Sequence, residues 1–200
     1  MSNITPPSFS TLLALGKLYG LTAADRELIH RLIAQAALRL GQQRQSLTVI
    51  DCSCTFDATR VQEMIHLQQI DFSDTMETIS VSRPFTAYQL KASTANLLSQ
   101  RPTPLATPII FISPLHLLYD DNIDLGEGLR LLNTLLADWT ALRRYAPILL
   151  TLAPPPADLA DRLPLFEKLL KGVDQLFTVQ PPQPAKAQQL SLFSTANQNR

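Results

Sequence analysis

The sequence predicts an α/β domain with a mostly parallel sheet flanked by helices. Short β-forming or apolar segments alternate with longer segments in which apolar residues recur at helical spacing, a pattern typical of βαβ units with right-handed crossovers. Some of the short segments are apolar throughout, as strands covered on both faces are. With 46% of its 200 residues hydrophobic and 17% charged, the chain is expected to fold around a core.

Six strands are predicted where short β-forming or apolar runs lie between turn-forming residues. In chain order they are Thr11–Leu15, Leu47–Asp51, Thr78–Ser82, Ile109–Ser113, Ile148–Leu152 and Asp174–Val179.

Five helices are predicted between these strands from apolar residues that recur every three or four positions. Thr22 is expected to cap the first helix and Asp57 the second, whereas Pro84 opens the third. The predicted helices are Ala23–Leu40, Ala58–Gln68, Phe85–Ser99, Asp124–Tyr145 and a short one near Leu163–Leu170.

The chain is therefore expected to contain one folded unit with two flexible ends. Residues 1–10 are predicted to be a flexible lead-in, and residues 11–179 are predicted to form the folded domain. Residues 180–200 are rich in glutamine, proline and asparagine and lack a helical or strand period. Such a segment buries too little apolar surface to offset its ordering entropy, so it is predicted to be a disordered tail.

The charge balance argues against a protein whose main role is to bind the nucleic-acid backbone. Seventeen Lys and Arg residues oppose seventeen Asp and Glu residues, which gives a net charge of zero. Backbone binding normally requires a basic surplus. We therefore expect nucleic-acid contact to be weak or made through a partner.

Metal sites, cofactors and membrane spans are also not expected. Cys52 and Cys54 are too few for a four-thiolate zinc site. They are expected on one side of an extended segment, where two small apolar-like side chains are favoured over a CxC metal or redox site. The three histidines are far apart: His30, His66 and His116. The chain has neither a run of about 18 apolar residues nor a basic N-terminal region followed by an apolar one, which predicts a cytoplasmic protein.

The segment Gly16-Lys17-Leu18-Tyr19-Gly20-Leu21-Thr22 has the position of a phosphate-binding loop, between the first predicted strand and helix. A working loop has four residues between its glycines, followed by Lys and Ser or Thr. Here three residues separate Gly16 from Gly20, and Leu21 takes the position of the lysine. Only Thr22 fits the pattern, so an ordinary turn is favoured over a nucleotide-binding loop.

The order of segments resembles the ATPase core of the RecA/RadA recombinase superfamily. LTVIDCSCTFDATRV is similar to that family's strand with an acidic end, and ISVSRPFTAYQL to its strand with a following Gln-bearing helix. IIFISPLHLLYD is similar to the Walker B strand, and ILLTL to the strand after the long helix. The resemblance covers roughly residues 11–179 and implies a RecA-like domain.

Three departures from that family imply that ATP hydrolysis has been lost. Ser53 follows Asp51 where the family has its catalytic glutamate, Ser113 replaces the Walker B aspartate, and Leu21 replaces the lysine. Without these groups nothing stabilises phosphoryl transfer, so neither enzymatic activity nor a cofactor is expected. The degenerate nucleotide site comprises Gly16, Gly20, Leu21, Thr22, Asp51, Ser53 and Ser113.

The tail carries the sequence Gln189-Leu190-Ser191-Leu192-Phe193. It closely resembles the QL[S/D]LF motif by which bacterial polymerases and repair proteins bind the β sliding clamp, and all five positions match. In such a peptide the leucines and phenylalanine enter apolar pockets, while the glutamine amide is hydrogen-bonded. The alternative is that LSLF is an edge strand or a docked C-terminal segment.

Together these features predict a non-catalytic accessory protein of bacterial DNA repair or translesion synthesis, similar by domain logic to ImuA-type proteins. Its expected partners are the β sliding clamp and a polymerase or RecA-type recombinase. One alternative is a recombination mediator, an inactive recombinase paralogue that pairs with a RecA-type recombinase. A second alternative is a nucleotide-binding ATPase with a non-standard loop.

Overall fold

The computed structural model describes residues 16–22, 25–43, 45–67, 76–100 and 107–178. Within these residues the strands are β1 (Leu18–Thr22), β2 (Leu47–Asp51), β3 (Ile79–Ser82), β4 (Ile109–Ile112), β5 (Ile148–Leu152) and β6 (Gln175–Thr178). The α-helices are α1 (Arg26–Gln42), α2 (Ala58–His66), α3 (Ala87–Ser99), α4 (Leu125–Leu142) and α5 (Leu163–Gly172). Two 3₁₀ helices, Pro114–Leu118 and Ala157–Arg162, follow β4 and β5.

All six strands run parallel in one sheet with the order β3-β2-β4-β5-β1-β6. The predicted fold class is therefore confirmed. Five predicted strands differ from the observed ones by at most one residue at either end. The other predicted strand, Thr11–Leu15, lies outside the described residues, as do the lead-in 1–10 and the tail 180–200.

The first βα unit corrects the sequence prediction. The segment expected to be a loop contains β1, which pairs with β5 on one side and β6 on the other. Gly20 lies within this strand, where an added Cβ would approach Leu152 Cδ1 and Leu176 Cδ1 to 3.0 Å. A glycine suits this position because two neighbouring side chains close over the backbone, and the sequence prediction interpreted this packing role as a turn.

The start of α1 is also shifted relative to the prediction. Asp25, rather than Thr22, caps the helix by accepting a hydrogen bond from Leu28 N–H at 2.7 Å. Thr22 belongs to β1, and its hydroxyl lies 2.9 Å from the hydroxyl of Thr178 in β6. The cap predicted at Asp57 is confirmed, with Asp57 Oδ1 3.2 Å from Arg60 N.

The direction of the crossovers explains how both faces of the sheet are covered. The chain moves from β1 to β2 to β3 in one direction across the sheet, and from β3 to β6 in the other. Right-handed crossovers therefore place α1 and α2 on one face and α3, α4 and α5 on the other. Each face has its own buried cluster, with Ile33, Val49 and Val61 in one. The second contains Phe111 and Trp139, whose rings meet edge to face at 5.3 Å.

Among the described residues, no helix combines the length and the apolar character needed to cross a membrane.

A carboxylate joins the last strand to the first at the amino end of the sheet. Asp174 Oδ2 accepts a hydrogen bond from Leu18 N–H at 2.7 Å, and Arg143 Nη1 donates to Asp174 Oδ1 at 2.6 Å. Burial opposes ionisation of Asp174, but the hydrogen bonds from Arg143 and Leu18 outweigh it, so the pKa of this carboxyl lies below its usual value. The ionised carboxylate therefore stabilises the start of β1.

We expect Asp174→Asn to lower the free energy of unfolding by about 1 kcal/mol at neutral pH, because the charged hydrogen bond from Arg143 is lost. A lowered carboxyl pKa stabilises the fold fully above the unfolded-state pKa of about 4, and this contribution is lost as the pH falls through the folded-state value. Urea unfolding of both proteins should show the full difference at pH 7 and a smaller one at pH 3. An equal difference at both pH values would contradict the role assigned to the charge.

Candidate functional site

The candidate site is a cleft at the carboxyl ends of three adjacent strands. The crossovers that leave β2 and β4 run to opposite faces of the sheet, so the loops after these neighbouring strands diverge. In open α/β sheets this is where ligands bind. A cavity of about 220 Å³ lies between these loops and the segment after β5. Its lining residues are Ser53, Thr55, Ser113, Leu115, His116, Tyr119, Ala153, Pro154 and Pro156.

Asp51, at the end of β2, is fully buried and organises the loop beside the cleft. Its Oδ1 accepts hydrogen bonds from the backbone N–H groups of Ser53 and Thr55 at 3.3 and 3.2 Å. Its Oδ2 accepts from Phe56 N–H at 2.9 Å. A buried carboxylate that accepts three backbone hydrogen bonds is fixed in orientation, so Asp51 acts as the anchor of the β2–α2 loop.

Two cations and an imidazole hold the same loop from outside. Arg83, just after β3, donates to the carbonyl of Phe56 at 2.8 Å and places its Nε 3.5 Å from Asp51 Oδ2. From α1, Arg26 Nε donates to the carbonyl of Thr55 at 2.9 Å. His30 is buried and accepts a hydrogen bond from Asp57 N–H at 3.1 Å. The charged and polar groups around Asp51 thus serve the loop conformation.

Two residues without the freedom of glycine adopt left-handed backbone conformations at this end of the sheet. Ser113, directly after β4, has φ 49° and ψ 54°, and its N–H donates to Thr151 Oγ1 at 2.9 Å. Cys54, in the β2–α2 loop, has φ 53°. Each conformation costs about 1 kcal/mol or more, and such strain is concentrated at functional sites and tight turns.

The polar side chains that line the cleft are four hydroxyls and one imidazole, beside apolar residues. Ser53 Oγ lies 3.0 Å from Thr55 Oγ1, and Tyr119 Oη donates to the carbonyl of Ala153 at 3.1 Å. Burial raises the pKa of Tyr119, so its hydroxyl stays protonated at neutral pH. The imidazole of His116 is exposed. Hydroxyls and one imidazole can bind a polar ligand through hydrogen bonds, but they do not form a carboxylate set for divalent cations.

The seven residues of the predicted degenerate nucleotide site do not form one cluster. Ser53 and Ser113 line the cleft, with Asp51 buried behind it. Gly16 forms a turn with φ +82° at the opposite, amino end of β1. Gly20 and Leu21 lie inside β1, and Thr22 ends it. The expectation that Gly16 to Thr22 form a loop next to the other residues is wrong, because β1 occupies this segment.

The cysteines and histidines do not form a shared site in the described part of the chain. The chain turns after Asp51, so Cys52 is buried whereas Cys54 is exposed, and the two do not share one side of an extended segment as expected. Burial, followed by the charges of Asp51 and Cys54, raises the pKa of Cys52. Within the described ranges no three His, Cys, Asp or Glu residues are grouped as metal ligands would be.

Sequence reasoning missed much of the cleft lining. Thr55, His116, Tyr119, Pro154 and Pro156 were not singled out as site residues. Each of these five residues lies at most seven positions after the last residue of β2, β4 or β5. Attention to every polar or ring-bearing side chain shortly after a strand would have found them, because these loops meet at one edge of a parallel sheet. The clamp-binding residues Gln189 to Phe193 lie outside the described residues.

Comparison with known proteins gives no family assignment. No protein-family model matches the chain, and no curated protein matches it at a significant level.

We expect Asp51→Ala to lower the free energy of unfolding by about 3 kcal/mol, because one buried and two partly buried amides lose their acceptor. Asp51→Asn keeps one acceptor oxygen and should lose roughly half as much. Urea denaturation followed by circular dichroism measures both losses. If Asp51→Ala cost less than about 1 kcal/mol, the carboxylate would not be the anchor of this loop, and a ligand-binding role would regain support.

Proposed function

We propose that this protein is a non-catalytic RecA-like accessory factor of bacterial DNA repair or translesion synthesis, recruited to the β sliding clamp. The observation that carries the proposal is the match of Gln189-Leu190-Ser191-Leu192-Phe193 to the clamp-binding pattern at all five positions. The motif is an apolar island with polar residues on both sides, as a short linear recognition motif is. The edge-strand alternative accounts for the apolar residues but not for Gln189 and the polar flanks.

The distance between the motif and the folded domain is suited to a tether. The last strand, β6, ends at Thr178, and residues 179–188 separate it from Gln189. Ten residues extend over at most about 35 Å. Prolines 181, 182 and 184 favour an extended chain over much of this length. Bound to a clamp, the motif would therefore keep the folded domain within one domain diameter of the binding site.

The first βα unit supports the absence of phosphoryl transfer. The connection from β1 to α1 is Ala23-Ala24-Asp25, which contains no glycine and no lysine. Leu21 is 1% exposed and packs in the core beneath α1. Phosphate loops need glycines for close backbone approach and a lysine for the β and γ phosphates. Asp25 at the start of α1 would instead repel an anion from the helix N-terminus.

The end of β4 supports the same conclusion. Ser113 stands where the resemblance to the RecA superfamily calls for the Walker B aspartate, and it offers a neutral hydroxyl. The nearest carboxylate along the sheet, Asp51, is already bound to three amides and lies beside Arg83. A magnesium nucleotide would find no free carboxylate among the residues that line this cleft.

We expect the full-length protein to bind a purified bacterial β sliding clamp with micromolar affinity, about −8 kcal/mol. Leu192→Ala combined with Phe193→Ala should weaken binding by at least about 100-fold, because two buried anchors each contribute about 2 kcal/mol. Fluorescence anisotropy with protein labelled at an introduced N-terminal cysteine, in a Cys54→Ser background, measures this directly.

The neighbouring glutamines provide a matched control for the register of the motif. Gln189→Ala should weaken clamp binding, because the motif amide loses its hydrogen bonds, whereas Gln188→Ala should leave it unchanged. Equal binding by wild type and the Leu192→Ala/Phe193→Ala double variant would remove the main support for the proposal.

Calorimetric titration with ATP and Mg²⁺ is expected to give no saturable heat. The physical reason is the absence, within the described residues, of a glycine-rich loop with its lysine at the start of α1. Saturable binding would instead favour the alternative of a nucleotide-binding ATPase. Ser113→Asp serves as the comparison, since restoring a carboxylate at the end of β4 should not restore binding while Leu21 occupies the core.

A further inference from the structure

The outer edge of β3 has no partner strand among the described residues. β3 pairs with β2 on one side only. Its four residues, Ile79 to Ser82, include no charged residue and no proline, the two features that usually protect an exposed edge. Ser80, Val81 and Ser82 are all exposed. With no strand of the described residues beside it, this edge can pair with another strand.

The register shows which backbone groups face outward. Leu47 N–H donates to the carbonyl of Thr78 at 2.7 Å, while Leu47 lies opposite Ile79 and Val49 opposite Val81. In a parallel ladder a residue forms hydrogen bonds not with the residue opposite it but with the two residues that flank that one. Leu47 and Val49 bond to β3 in this way. The N–H and C=O groups of Ile79 and Val81 consequently point away from β2, toward the open edge.

We propose that a second copy of this chain occupies the edge, with the two β3 strands antiparallel about a twofold axis at Val81. In this register each Val81 faces its counterpart and exchanges two backbone hydrogen bonds with it. Ser80 of each copy faces Ser82 of the other, because the Ser80-Val81-Ser82 segment is symmetric about its centre. Cross-strand hydroxyl pairs and β-branched pairs both stabilise antiparallel sheets.

Packing at the edge is suited to this arrangement. Val81 is 39% exposed and lies on the same face as Val49 and Ile79, which contact the core beneath α1 and α2. A second Val81 would extend that apolar row across the axis. The segment from Ile79 to Ser82 carries no charge, and the chain has a net charge of zero, so two copies approach without net repulsion.

The nearest cation is directed away from the edge. Arg83 follows β3 directly, and its guanidinium is held toward Asp51 and the carbonyl of Phe56. The positive charge that would otherwise oppose pairing near the axis is thus neutralised within each copy. Pairing of β3 with β6 of another copy would be head to tail and would produce open filaments, whereas the symmetric Ser-Val-Ser segment favours a closed dimer.

The mass of the full-length protein in solution tests the proposal first. Light scattering coupled to gel filtration should give 44.4 kDa, twice the 22.2 kDa of one chain. Val81→Lys places two like charges face to face at the axis and should give 22.2 kDa, with an unchanged far-UV circular dichroism spectrum because the side chain is exposed within one copy. Val81→Thr keeps the β-branched shape without charge and should remain a dimer.

Cross-linking tests the register. In a Cys54→Ser background, Val81→Cys should form a disulfide-linked dimer under mild oxidation, because hydrogen-bonded antiparallel pairs have a Cα separation of about 5.5 Å, within disulfide range. Ser82→Cys, one residue away, faces Ser80 of the other copy and should not cross-link. Cys52 remains in both proteins and is buried.

Three results would overturn the proposal. The first is that the wild-type protein has the mass of one chain at every protein concentration up to about 100 µM, which is well above the Kd of a weak specific interface. That result would leave the edge to a strand from another protein. The second is a dimer that survives Val81→Lys. The third is equal cross-linking through Ser82→Cys. None of these measurements involves the sliding clamp, so they are independent of the proposed recruitment.

Discussion

The structure depends on the need to cover both faces of a parallel sheet. β4 and β5 are buried along their whole length, so helices must lie above and below them. A right-handed crossover lies on one face of the sheet when the chain moves in one direction across the strands, and on the other face when the chain moves back. The chain must therefore reverse direction to cover both faces. The reversal separates the loops after β2 and β4 and creates the cleft between them. The place for a ligand is thus a consequence of the layer arrangement, whatever chemistry the loops carry.

In this chain the charged groups at that place hold the loop conformation. A carboxylate at a strand end can bind a metal or activate water only if its oxygens are free. Asp51 instead accepts three amide hydrogen bonds and lies beside Arg83, and the β2–α2 loop is further held by His30 and Arg26. The residues nearest the cleft contribute hydroxyls rather than charges. The cleft therefore carries no carboxylate among its lining residues, and its polar side chains are hydroxyls and one imidazole.

Most of the fold could be predicted from local sequence, but the structural role of an individual glycine could not. β2 and β5 have the predicted bounds, because apolar runs flanked by turn residues have few other solutions. The prediction was wrong at Gly20, because the sequence does not distinguish a glycine that leaves room for the side chains of Leu152 and Leu176 from one that forms a turn. At the site, Ser53 and Ser113 were found from the resemblance, whereas His116 and Tyr119 were missed. Their proximity to Ser53 depends on the order of strands, which periodicity does not specify.

The proposed dimer uses one edge of the sheet, and the last described strand before the motif forms the other edge, so the two proposed interactions are compatible. β3 forms one edge, and β6, which precedes the segment with the proposed motif in sequence, forms the other. In the proposed dimer eleven strand spacings separate the two β6 strands, about 53 Å at 4.8 Å per spacing. Each tether reaches at most about 35 Å, so the two motifs could bind sites that are close together or up to roughly 120 Å apart. In a dimer, binding of one motif would hold the second motif near the clamp. The apparent affinity would then exceed the micromolar affinity expected for one motif, without any new contact to the clamp.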